Sequence, residues 1–189
     1  MRNPQVSDIH QDIINRCRSG ERDAYFMLYK LYSKSMFNVA YRILKDQDEA
    51  EDALQEGFIS AFKNLNHFRG EASFGGWLKK IVIHKAINSL KKRREETLPD
   101  FERLEVGEEE VSFEIESGVK DRVDQVRQAI EELPDGYRSV LSLYLLEGYD
   151  HEEISEVMGI SISTSKSQLN RAKTKLKKIL KDRKFEFVL

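Results

Sequence analysis

Lys166, Ser167, Asn170 and Arg171 crowd into one short stretch near the C-terminus and carry only long cations and short hydrogen-bonding groups. Ammonium and guanidinium groups pair with phosphates, and Arg and Asn can each bond two atoms of one base edge. Such a set does the chemistry of reading duplex DNA in its major groove. Nothing comparable exists for bond-breaking. The chain has no Gly-rich phosphate loop and no nucleophile beside a base. Its four histidines stand apart at 10, 67, 84 and 151, and Cys17 is its single cysteine. No metal, cofactor or small-molecule substrate is expected, and the protein is not expected to be an enzyme.

The reading face needs a rigid support, and the surrounding residues supply one. Ile154, Val157 and Met158 recur at helical spacing, Gly159 accepts the left-handed backbone of a sharp turn, and Ser161 or Ser163 can cap the helix that follows. In that second helix Leu169, Ala172, Leu176 and Ile179 form an inward stripe. Lys166, Ser167, Asn170 and Arg171 share another face, with Ser163 and Thr164 at the start of the same helix. Residues 151–170 therefore read as a helix-turn-helix. The plain alternative is an amphipathic hairpin with solvated charges.

A second basic surface lies in the first half of the chain. From Phe74 to Arg94, Leu78, Val82, Ile83, Ala86 and Leu90 make an apolar side. Lys80, His84 and Asn88 line up on the other at i, i+4 and i+8, flanked by Lys79, Lys85, Lys91 and Lys92. No acid occurs from Ala72 to Arg94, whereas a merely solvated face mixes both signs. Just before it, Phe68, Phe74 and Trp77 accompany Arg69, Ser73 and Gly75-Gly76. Rings beside cations suit unstacked bases. Phe68 and Arg69 are the residues expected to meet nucleic acid there, while Phe74 and Trp77 fit a core equally well.

A third surface is different in kind. In Asp48–Leu65 the small residues Ala50, Ala53, Gly57 and Ala61 share a side with Leu54, Phe58, Phe62 and Leu65, so another helix can come close. The opposite side carries Asp52, Gln55, Glu56, Ile59 and Lys63. An isoleucine amid polar groups fits a protein interface, and equally fits the scattered apolar residues of any surface.

Charge divides the chain of 189 residues. Residues 1–94 hold 17 Lys and Arg against 11 Asp and Glu, residues 95–120 hold 2 against 10, and residues 159–184 hold 9 against 1. A formal net charge of −2 thus hides two basic regions and an acidic connector. Helical periodicity runs from Ile9 to Lys92 and from Lys120 to Lys181, with little strand signal. The expected architecture is all-α, with two small helical domains at 1–94 (four helices) and 121–189, joined by an acidic linker at 95–120. No run of about 18 apolar residues is present and no signal core opens the chain, so a cytoplasmic protein without membrane insertion is expected.

The order of these surfaces, with several local motifs, resembles the extracytoplasmic-function (ECF) sigma factors of bacterial RNA polymerase. Asp48-Glu49-Ala50-Glu51-Asp52-Ala53-Leu54-Gln55-Glu56-Gly57-Phe58 is similar to the family's polymerase-binding helix. Phe68-Arg69-Gly70-Glu71-Ala72-Ser73-Phe74 with Trp77-Leu78 is similar to its promoter-melting loop. Leu133-Pro134-Asp135-Gly136-Tyr137-Arg138, Glu147-Gly148-Tyr149 and the helix-turn-helix are similar to its C-terminal domain. The resemblance covers about residues 20–94 and 121–182.

The resemblance implies a subunit that binds core polymerase through its β and β′ subunits, recognises two promoter elements and assists melting. Asp52, Gln55, Glu56, Ile59 and Lys63 would dock on β′. Phe68, Arg69, Ser73, Phe74, Lys79, Lys80, His84 and Asn88 would engage the −10 element, including a flipped base. Ser163, Thr164, Lys166, Ser167, Asn170 and Arg171 would engage the −35 element. Promoter DNA would be met both as duplex and as single strand, and an anti-sigma factor would hold the protein inactive. The apolar tail Phe185–Leu189 fits a partner contact or a last turn packed on its own domain.

Some residues depart from the family pattern. His84, Gly75-Gly76, Ser163 and Ser165 replace other usual residues, and they bear on which promoter is read. Two elements about 17 base steps apart are roughly 60 Å distant, within the roughly 80–90 Å that a 25-residue linker can span. A free-standing helix-turn-helix regulator would instead dimerise on a palindrome, and a protein adaptor would not touch DNA.

Overall fold

A computed structural model describes residues 4–70, 73–96 and 119–183. The expected linker and the apolar tail fall almost wholly outside these residues. All regular structure among them is helical, and backbone contacts divide the chain into two units, Met1–Leu90 and Lys91–Leu189.

The first unit begins with α1 (Pro4–Arg18), which ends at Gly20, a residue with φ of 88° that allows the chain to reverse. The long helix α2 (Arg22–Leu44) follows and closes on Lys45, held left-handed at φ 55°. Asp46 then caps α3 (Gln47–Lys63) by accepting a hydrogen bond from the Glu49 amide at 2.9 Å. This use of a short acceptor at the helix start satisfies a backbone donor that has no partner within the helix. A 3₁₀ turn (Leu65–His67) leads into the loop before α4 (Phe74–Glu96), two residues longer than the sequence periodicity marks.

The stripe read from the sequence of α3 is its inward side: Ala50, Ala53, Leu54, Gly57, Phe58 and Ala61 are buried. Small residues matter here because α4 comes close. A Cβ on Gly57 would stand 2.7 Å from Cγ2 of Val82, inside contact distance. Leu78, Val82, Ile83, Ala86, Ile87 and Leu90 of α4 are all buried, and each large one contributes roughly 1.5–3 kcal/mol by leaving water.

The second unit contains α5 (Val119–Glu131), α6 (Asp135–Leu145), α7 (His151–Met158) and α8 (Ile162–Asp182). The α6 and α7 helices pack against α8 and against each other, and α5 lies along α8. The core of this unit is Ala129, Leu133, Val140, Leu141, Leu143, Ile154, Val157, Leu169, Ala172 and Leu180. Arg138 is 2% exposed, yet both terminal nitrogens of its guanidinium are occupied. It donates to the Leu133 carbonyl at 2.9 Å and to Asp135 at 2.6 Å, tying the α5–α6 turn together. A buried guanidinium is tolerated when its donors meet acceptors in this way.

Candidate nucleic-acid interface

The helix-turn-helix is built with both ends of its turn satisfied. Asp150 accepts from the Glu152 and Glu153 amides at 2.8 Å each, and Glu153 accepts in return from the Asp150 amide at 3.1 Å. This reciprocal box starts α7. Gly159 ends it at φ 67°, its amide bonding the Ser155 carbonyl at 2.9 Å, while the Ser155 hydroxyl donates to the Ile160 carbonyl at 2.6 Å. Of the two serines able to cap α8, Ser161 does so, accepting from the Thr164 amide at 3.0 Å. Oγ of Ser161 also lies 2.8 Å from the hydroxyls of Ser163 and Thr164.

The two helices are locked by a contact that sequence spacing does not reveal. His151 Nδ1 lies 2.9 Å from Oγ of the buried Ser165, and the imidazole stacks on Tyr144 at 4.9 Å. Ser165 thus faces inward, beside Leu169 and Ala172, leaving Ser163, Lys166, Ser167, Asn170 and Arg171 all exposed on the remaining surface of α8. Thr164 is only half-exposed because it belongs to the cap. Leu176 and Ile179, read as inward, are also half-exposed, and Leu180 is the buried residue near that end.

In α4 the expected ridge is present: Lys80, His84 and Asn88 are exposed, and Lys79 is half-buried. Lys85 is drawn away from it into an ion pair with Glu56 of α3 at 3.0 Å. The ring of Phe68, expected to meet nucleic acid, lies inside an aromatic cluster. Phe68 is 6% exposed, with its ring 5.6 Å from Phe74 and 5.2 Å from Trp77. Phe74 is buried in the same cluster. Three aromatics packed together bury more apolar area than a loop ring could in water. Arg69 remains exposed at the loop's start. Ser73 is exposed too, but its hydroxyl accepts from the Gly76 amide at 3.2 Å and so serves the first turn of α4.

Gly75 is required by a neighbour. A Cβ there would stand 2.8 Å from the Tyr32 ring, which is itself held by a 2.7 Å bond between its hydroxyl and His10 Nδ1.

On the outward side of α3, Asp52, Gln55, Glu56 and Lys63 are exposed, and Ile59 is 53% exposed in their midst. The side chain of Ile59 has no place in the unit's own core. Among the described residues no cluster of His, Cys, Asp or Glu could hold a metal, and no helix is long and apolar enough to cross a membrane.

Comparison with known proteins gives these surfaces a family. The model described as Sigma-70 region 2 matches residues 28–96, and that described as Sigma-70, region 4 matches residues 124–176. RNA polymerase sigma-H factor of Pseudomonas aeruginosa is 32% identical over 181 residues, covering 90% of this chain and 93% of the relative. The ECF RNA polymerase sigma factor SigW of Bacillus subtilis is 30% identical, covering 89% and 95%. Among solved structures, the sigma factor RpoE in complex with the anti-sigma factor NepR from Bartonella quintana shares the fold with a TM-score of 0.55. That match has 23% identity and covers 83% of this chain and 96% of that one. CnrH, solved with the cytosolic domain of CnrY, matches with a TM-score of 0.52 at 20% identity, covering 90% and 96%. With both regions matched in order and relatives aligned over nearly the whole chain, this protein belongs to the ECF sigma factors of bacterial RNA polymerase, the subunits that direct promoter-specific initiation of transcription.

Proposed function

We propose that the two exposed polar faces divide promoter recognition between them. Residues 1–94 form the part that binds core polymerase and opens the −10 element, residues 121–189 form the part that reads the −35 element, and residues 95–120 connect them. The carrying observation is that each unit exposes a cation-and-amide face opposite its own buried stripe. One is Lys80, His84 and Asn88 on α4, and the other is Lys166, Ser167, Asn170 and Arg171 on α8. Lysines and arginines hold phosphates, while Asn88, His84 and Asn170 have the donors and acceptors to distinguish base edges.

Asp52, Gln55 and Glu56, with Ile59 among them, form the surface that docks on core polymerase. An exposed apolar residue ringed by carboxylates suits a partner surface rich in cations around an apolar spot. The protein performs no catalysis of its own and works in the cytoplasm, where polymerase is. Control by an anti-sigma factor is the natural counterpart, since the sigma factor RpoE of Bartonella quintana, which shares this fold, is seen bound to one.

Promoter selection with holoenzyme tests the division. Core polymerase reconstituted with this chain should enrich a two-element promoter from a random library. The paired change Lys166→Ala with Arg171→Ala should abolish the −35 preference and leave core binding intact. If the purified protein alone instead selects a palindrome as a dimer, it acts as a free-standing regulator.

A further inference from the structure

We propose that Arg18, on the first helix, is a positioning residue for promoter opening. The inference rests on the reading of the loop after Phe68 as the strand-opening element. Arg18 lies outside the stretch matched by the region 2 family model, which begins at residue 28.

The geometry is specific. Nη2 of Arg18 donates to the Phe68 carbonyl at 2.5 Å and lies 3.4 Å from the Leu65 carbonyl, partners about fifty residues away in sequence. Nη1 is 3.5 Å from Oδ1 of Asn15, on the preceding turn of α1. A guanidinium presents its donors as a rigid planar fork, so binding at more than one point fixes its orientation. The Leu65 carbonyl also accepts from the Phe68 amide at 3.2 Å, closing the 3₁₀ turn, whereas the Phe68 carbonyl lies just past that turn, outside any helix.

What this holds is the plane of a peptide. The carbonyl of Phe68 and the amide of Arg69 belong to one rigid unit. The ring of Phe68 is anchored in the Phe74–Trp77 cluster, and its carbonyl is anchored by Arg18. The direction in which Arg69 leaves is therefore set from both sides. Beyond it, Gly70 has φ 76°, and a Cβ built there would meet nothing within 4 Å. Arg18 also lines, with Gln11, Asn66, Phe68, Arg69 and Gly70, an open polar concavity of about 360 Å³ beside the loop. Without the clamp, Arg69 would have to be ordered afresh each time a strand opens.

The test uses reconstituted holoenzyme and two templates, a duplex promoter and the same promoter with its −10 region already unpaired. Arg18→Ala should slow open-complex formation on the duplex by about tenfold, the loss expected for one charge-assisted contact. The unpaired template should largely restore the rate, and Arg18→Lys, which keeps a cation able to meet the carbonyls, should fall between. Core binding should be unchanged. A loss that is equal on both templates, or one that accompanies weakened core binding, would overturn the proposal in favour of a purely structural role. An unchanged duplex rate would overturn it outright. Arg69→Ala separates the two levels. If Arg69→Ala slows opening and Arg18→Ala does not, only the positioning role fails. If neither does, the loop is not the opening element.

Discussion

The carboxylate of Glu56 lies 3.0 Å from the ammonium of Lys85, so the helix whose outer face is assigned to polymerase is pinned to the helix whose ridge is assigned to DNA. Both side chains reach solvent, so the pair contributes at most about 1 kcal/mol to folding. Glu56→Lys should therefore cost little stability but weaken core binding. Adding Lys85→Glu rebuilds an ion pair of opposite sense, and chemical denaturation should show stability restored. Binding to core polymerase should remain impaired. Recovery of binding in the double variant would mean that Glu56 acts through Lys85 and not on the partner.

Gly57→Ala would put a methyl group 2.7 Å from Cγ2 of Val82, a β-branched side chain with little freedom to move away. Overpacking should cost roughly 1–3 kcal/mol, against the smaller gain in helix propensity. Thermal unfolding should show the loss, and Val82→Ala in the same chain should recover part of it.

Asp150→Ala should remove the one oxygen that accepts two backbone hydrogen bonds at the start of α7 and lower stability by roughly 1–2 kcal/mol. Because α7 carries Ser155, which shapes the turn into α8, −35-dependent transcription should fall at a temperature where wild type is fully active. Asp150→Asn, which retains an acceptor, should be close to wild type in both assays.

Cys17 is fully buried, and burial raises its thiol from about 9 to about 11. The folded state thus favours the neutral thiol. Its contribution to stability is complete below about pH 9, where the unfolded thiol begins to ionise, and is lost as pH rises through about 11. Urea midpoints at pH 7.5 and 10.5 should diverge more in wild type than in Cys17→Ala. A thiol reagent should label Cys17 only as the first unit opens.

The helices and both polar faces were legible because they follow from periodicity. Leu78, Val82 and Ile83 recur as a helix demands, and Ile154 and Val157 stop at a glycine that must turn. The burial of Phe68 was not legible, for a physical reason. A loop aromatic next to an arginine looks the same in sequence whether its ring stacks on a base or on two neighbouring rings, and only the tertiary meeting of Phe68, Phe74 and Trp77 decides. Arg18 was invisible for a similar reason, since its acceptors are backbone carbonyls and carry no residue signature. Ser165 illustrates the limit from the other side. It looks like one more hydroxyl of a polar run, but His151 from the preceding helix turns it inward. Gly75, noted as a departure from the family pattern, proves to make room for Tyr32.

The most direct test is a titration of this protein against bacterial core RNA polymerase, wild type beside Glu56→Lys. A working sigma factor should bind in the nanomolar range, the charge reversal should weaken binding by about tenfold or more, and the wild-type complex should initiate at a defined promoter. Absence of binding by a folded wild-type protein would contradict the assignment of α3 and, with it, the role of the whole chain in initiation.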